Sequence, residues 1–345
     1  MTVRRALQLL LSTSLLCCSR CTAVNFTSEN WSNDLGQRYI LKHFGRPEHI
    51  IAQTKNLLAL HNSKSSSALR LFMLGDSVMR DMAALWSRHY GGAEFGNATD
   101  SKNKLQFLTR AQIKEQCGAA SPGSSRSGRC SFFTKNLEIR FMWLQWLSVP
   151  SPVSQSTSFQ AEDGCYGEPS LEHCFSRLFD EAGIKSDDVL FIRVGLEYVL
   201  YGGAFEPIID WQNEFNRSLP QALQLLKRLF KGQIIFLLLQ PISTNYDNCK
   251  PPIWNAMGNV TVANNLMATV LEKENVPFLD ISGFSFLFSH QRVVPEYSQD
   301  WKPFDADRFG LYDCVHPAEP QTSLTMNLLL KLLVGRSGHG LAIRP

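Results

Sequence analysis

Ser77, Asp313 and His316 are the residues whose types and order could do covalent chemistry in this chain. A serine hydroxyl is a weak nucleophile at neutral pH. It needs a base within hydrogen-bond reach, and the base needs a group that orients it. Ser77 stands in Gly75-Asp76-Ser77, and the other two stand in Asp313-Cys314-Val315-His316-Pro317. Three residues apart, Asp313 and His316 can meet within one turn. Each residue alone has an ordinary reading. Asp and Ser cap helices, and a histidine before a proline often lies on a surface. As a set they form an acyl-transfer site: Ser77 attacks, His316 takes and returns its proton, and Asp313 fixes the imidazole tautomer. The backbone N–H of Ser77 is a candidate donor to the oxyanion. Arg80, one helical turn on, is a second candidate, with a solvated helix residue as the alternative reading.

The elements around these residues alternate strand and helix. Leu69 to Leu74 is a short apolar run closed by a Gly-containing turn, the pattern of a parallel strand covered on both faces. Val78 to Trp86 follows as a helix. Leu137, Ile139 and Phe141 alternate with Glu138 and Arg140 as a strand. Val189 to Val194, Ile234 to Leu239 and Pro277 to Ile281 read as further strands. His49 to Leu60, Ile208 to Phe230, Val262 to Glu274 and Thr322 to Val334 read as helices, with Pro220 a candidate break in the second of these. This rhythm predicts a three-layer α/β/α sandwich with a central, mostly parallel sheet. In such a sheet, sites form at the carboxyl ends of the strands, where Ser77 stands.

Gly75-Asp76-Ser77 near the start, with Asp313-x-x-His316 near the end, resembles the SGNH (GDSL-type) hydrolase superfamily. Gly-Asp-Ser-x-x-Arg, ending at Arg80, is similar to its PC-esterase branch, which includes the trichome-birefringence-like polysaccharide O-acetyltransferases of plants. The likeness spans roughly Leu69 to Val334. It implies the same roles for Ser77, Asp313 and His316, and an SGNH-hydrolase-like fold. It also implies two further oxyanion donors, a glycine and an asparagine. The glycine block falls among Gly91, Gly92 and Gly96, with Asn97 beside the last. At the asparagine block this chain departs from the pattern. It reads Arg193-Val194-Gly195 where the plant relatives have Asn-x-Gly. Arg193 either supplies charge to the site or pairs with a carboxylate such as Glu197.

Composition sets the bounds. The chain has 345 residues, 44% apolar and 19% charged, enough for one large domain or at most two. A formal net charge of +3 and the lack of a Lys/Arg block argue against nucleic acid as partner. Arg4-Arg5, the apolar run Ala6 to Cys18 and the small residues at Cys21-Thr22-Ala23 follow the plan of a signal peptide. A membrane anchor is the competing reading, but the run is shorter than the ~20 residues a span needs. The expected organisation is a signal peptide over 1–23, an N-terminal arm over 24–66, one SGNH/PC-esterase-like domain over 67–335 and a tail over 336–345. No stable membrane span is expected once the signal is cleaved.

Six cysteines remain after cleavage: Cys117, Cys130, Cys165, Cys174, Cys249 and Cys314. An even set in a secretory chain argues for disulfides. The expected pairs are the local ones, Cys117–Cys130 and Cys165–Cys174, with Cys249–Cys314 by elimination. Sequons at Asn25, Asn30, Asn97, Asn216 and Asn259 fit the same compartment. No metal is expected, since the candidate ligands are scattered and no Cys-x-x-Cys occurs. No organic cofactor is expected either. The reading is therefore a secretory-pathway serine esterase or O-acyl(acetyl)transferase, acting on an acyl ester of a glycan or another secreted molecule. The alternative is a weakly active or inactive relative that binds a glycan or a partner on the same fold.

Overall fold

The computed structural model describes residues 46–65, 67–91, 129–133, 136–147, 165, 168–200, 210–240, 251–281, 316–317 and 319–336. In chain order its elements are α1 (Pro47–Ser65), β1 (Leu69–Gly75), α2 (Ser77–Gly91), β2 (Arg129–Phe133), β3 (Leu137–Trp143), α3 (Leu171–Ala182) and β4 (Val189–Arg193). There follow α4 (Leu196–Val199), α5 (Trp211–Leu229), β5 (Gln233–Leu237), α6 (Pro251–Lys273), β6 (Phe278–Leu279) and α7 (Glu319–Arg336).

The six strands form one sheet in the order β2-β3-β1-β4-β5-β6. All neighbours are parallel except β2 and β3. β1 is central. After it the chain lays β3 on one side and β4 on the other. The carboxyl end of β1 is thus the topological switch point, where the loops part and leave a crevice.

Alternation along the strands separates two cores. Leu71, Met73, Ile139, Phe141, Phe191 and Ile235 face one way, against Leu58 of α1, Val78, Met82 and Trp86 of α2, and Met326, Leu329 and Leu330 of α7. Phe72, Leu74, Met142, Leu190, Ile192 and Phe236 face the other. They meet Phe175 and Phe179 of α3, Phe215 and Leu223 of α5, and Ala263 and Met267 of α6. The result is the three-layer α/β/α sandwich expected from the sequence.

Three differences have local causes. β2 was not foreseen: Arg129-Cys130-Ser131-Phe132-Phe133 lacks a clean alternation, and it is an edge strand made by pairing with β3. α3 was not foreseen either. It is bounded by Ser170, whose hydroxyl accepts from the His173 N–H, and by Gly183, in the left-handed conformation at φ 59°. α5 continues through Pro220 without a break. Its buried face, Leu219, Ala222, Leu223 and Leu226, outweighs the one backbone bond that proline removes.

α1 lies within the expected N-terminal arm, yet it packs on α7. The Asn327 amide donates to the Thr54 hydroxyl at 3.0 Å, both buried. At the amino-terminal edge of the sheet, Arg70 donates to both oxygens of Asp188 at 3.0 and 2.9 Å. Burial pushes the Asp188 carboxyl above its ordinary value, although the Lys185 backbone N–H and Arg70 pull the other way. Among the described residues, no helix is long and apolar enough to cross a membrane.

Candidate active site

β1 ends in Gly75 because no side chain fits there. A β-carbon would stand 2.5 Å from Met79 Cγ and 2.6 Å from the Arg193 carbonyl oxygen. This close approach lets the chain turn directly from strand into α2. Asp76 is the N-cap: its Oδ1 accepts from the Val78 N–H at 2.9 Å, and its carbonyl accepts from the Arg80 N–H at 3.1 Å. Ser77 is thereby the first residue of α2, at the positive end of the helix. Its own N–H precedes the first intrahelical acceptor.

His316 arrives from the far end of the chain. α7 lies along α2, and the Trp86 indole N–H donates to the Thr322 carbonyl at 2.9 Å, fixing the first turn of α7. His316 lies just before that helix. Its Nε2 is 2.8 Å from Ser77 Oγ, across 239 residues of sequence. The histidine side chain is only 12% exposed, so the pair is mostly shielded from water. For Nε2 to accept the serine proton, Nδ1 must carry the ring hydrogen. Asp313, expected to receive that hydrogen, lies outside the described residues, as do Gly96 and Asn97.

Two buried ion pairs flank Ser77. The Arg193 guanidinium, through Nη1, donates to Asp76 Oδ2. The two side chains are 1% and 2% exposed. Glu197, the partner suggested by sequence, accepts instead from the Gln145 amide at 3.0 Å. Among the described residues the other terminal nitrogen of Arg193, Nη2, is buried with no hydrogen-bond acceptor. Arg193 and Trp143 are both in register with Gly75, one on each neighbouring strand. Gly195, two residues on, has φ 108° and opens α4 over Phe215 and Leu239.

The second pair is within α2. Arg80 Nε and Nη2 both donate to Asp81 Oδ1, at 2.9 and 2.7 Å. The Arg80 guanidinium carbon sits 5.4 Å from the centroid of the Trp143 ring. Asp81 Oδ2 is 3.8 Å from His316 Nε2. Sequence reasoning had not singled out Asp81. The signal was present, since four residues after Ser77 it must share that serine's helical face.

Cys165 and Cys174 are joined in a disulfide. Cys130 is also disulfide-bonded, to a partner outside the described residues. Cys117, Cys249 and Cys314 lie outside them, as do Asn25 and Asn30. Asn216 is exposed on α5 and Asn259 is half-buried on α6. Among the described residues, no group of three or more His, Cys, Asp and Glu could hold a metal ion.

No family model matches the chain, and no curated protein does. Solved structures with a similar course include an acetylxylan esterase from Geobacillus stearothermophilus, at 14% identity over 76% of this chain and 94% of that one, with a TM-score of 0.37. They also include the native aryl esterase of M. smegmatis, at 11% identity over 78% and 99%, with a TM-score of 0.38. A GDSL-like lipase from Bacteroides thetaiotaomicron aligns at 11% identity over 83% and 100%, with a TM-score of 0.40.

Proposed function

We propose that this chain is a serine-dependent acyl esterase or O-acyltransferase of the SGNH, PC-esterase-like type. The observation that carries the reading is the 2.8 Å approach of Ser77 Oγ and His316 Nε2 at the switch point of an open parallel sheet. Ser77 attacks the acyl carbon while His316 takes its proton, and Asp313 holds the imidazole from the other side. The negative charge that develops on the carbonyl oxygen is received by the Ser77 N–H and by Arg193, whose buried Nη2 has no acceptor among the described residues. His316 then returns the proton to the leaving alkoxide. Water or a sugar hydroxyl resolves the acyl-enzyme, acetyl being the acyl group proposed. No step requires a metal or an organic cofactor.

The proposed setting is the secretory pathway, with a glycan or another secreted molecule as acceptor. Disulfide-bonded Cys165, Cys174 and Cys130 support it, since such bonds persist in oxidising compartments. The test is turnover of p-nitrophenyl acetate by disulfide-intact protein, beside Ser77→Ala and His316→Ala. Both variants should lose about 10⁴-fold or more in kcat. Equal, near-background rates in all three proteins would overturn the esterase reading and leave a strict transferase or a binding protein on the same fold, which a probe for acyl transfer to glycans would separate.

A further inference from the structure

The proposed reaction uses Ser77 and His316 and leaves a buried carboxylate beside them without a task. Asp81 is 2% exposed. Its Oδ2 lies 3.8 Å from His316 Nε2, the same nitrogen that meets Ser77 Oγ. This is not the side from which an orienting aspartate normally acts, which is Nδ1. Asp81 is itself held in place. Arg80 contributes two nitrogens to one oxygen, Oδ1, and this fixes the direction of the other. The Arg80 guanidinium is steadied in turn against the ring of Trp143, from the strand beside β1. A chain of contacts thus runs from Trp143 through Arg80 and Asp81 to His316 and Ser77.

We propose that Asp81 is a positioning residue that holds the His316 imidazolium in place during acyl transfer. The inference rests on the serine reading above. In the first step the Ser77 Oγ–H bond breaks and an Nε2–H bond forms on His316. Ser77 Oγ bonds the acyl carbon, and the carbonyl π pair moves to its oxygen. Nε2–H then has lost its serine partner, and Asp81 Oδ2 is a carboxylate oxygen already beside it. It keeps the ring from swinging away until the proton passes to the leaving oxygen and the acyl C–O bond breaks. The Arg80 pairing keeps Asp81 itself from taking up the proton, because a clamped carboxylate is a poor proton acceptor. Asp76 and Arg193, the charged pair beside Ser77, are paired with each other, and Glu197 accepts from Gln145, so neither duplicates the role.

The experiment is a double-mutant cycle on p-nitrophenyl acetate turnover, using Asp81→Asn, His316→Ala and the two combined, with Ser77→Ala and urea unfolding alongside. Asp81→Asn should lower kcat about tenfold and leave KM within about twofold, measured on folded protein well below the unfolding transition, whose midpoint also falls because buried Arg80 loses its carboxylate. In the His316→Ala background the same change should cost nothing further in kcat, because Asp81 acts on the reaction through that imidazole. A tenfold loss in both backgrounds would mean that Asp81 serves the fold and would overturn the proposal. So would full activity in Asp81→Asn while Ser77→Ala and His316→Ala are inactive. If Ser77→Ala and His316→Ala keep wild-type turnover, the serine reading itself falls, and this proposal falls with it.

Discussion

Replacing Arg193 by Met tests the ground beneath Ser77. Arg193 and Asp76 are 1% and 2% exposed and pair directly, so the variant would leave a carboxylate buried with no cation. Removing one partner of such a pair typically costs about 3–5 kcal/mol. With a urea slope of about 3 kcal/mol per molar for a chain of this size, the midpoint should fall by about 1–1.7 M. Trp86, Trp143 and Trp146 are buried, so intrinsic fluorescence will report the transition. The double variant Asp76→Asn/Arg193→Met carries no buried charge, and the amide oxygen that replaces the carboxylate can still accept from the Val78 N–H. It should recover most of the lost midpoint. Activity should behave differently. On the proposed oxyanion role of Arg193, losing it costs about 10²–10³ in kcat, and the double variant should not regain it. Stability that returns without activity would separate the two roles. Superimposable unfolding curves for wild type and Arg193→Met would refute the buried-pair argument. A double variant no more stable than the single one would do the same.

Two other predictions concern the frame. Gly75→Ala must push its β-carbon against Met79 and the Arg193 carbonyl, and the backbone oxygen cannot yield. Overpacking of this kind costs about 1–3 kcal/mol, and a 1 Å displacement of Ser77 from His316 would lower kcat about 100-fold; a melting curve and a rate assay would show both. Asp188→Asn tests the other edge of the sheet. The folded carboxyl titrates above its unfolded value of 3.8, so the fold favours the neutral acid. The stability contributed by that preference is complete below pH 3.8 and is lost as pH rises through the raised folded value. Asparagine stays neutral, so the difference in unfolding free energy between wild type and variant should shift toward the variant across that window. Parallel pH profiles for the two would count against it.

Local chemistry made much of this fold legible. β1, the Gly75 turn and α2 follow from one apolar run, one glycine and one cap. β4 and β5 follow from short apolar runs bounded by polar residues. What was missed was decided elsewhere. β2 exists because β3 offers it an edge, and nothing in Arg129 to Phe133 declares that. α6 starts at Pro251, well before the Val262 expected from spacing, because proline is tolerated in a first helical turn. α3 is a different case. Leu171, Cys174, Phe175, Leu178, Phe179 and Ala182 do carry a helical stripe. The presence of Ser77 and His316 at opposite ends of a strand-helix chain suggested their meeting. The Arg193–Asp76 pair joins positions 117 apart and had no such pattern to announce it.

The 239-residue separation of Ser77 and His316 also sets an order of events during synthesis. At about 5–20 residues per second, the ribosome delivers the histidine roughly 12–48 s after the serine. Through that interval the central strand and the serine's helix exist without α7, so Met82 and Trp86 lack a cover they later share. The nascent chain is therefore chemically silent and sticky at the same time. On the proposed reading, Ser77 is made early and meets its base last, when the chain just before the core-sealing α7 arrives.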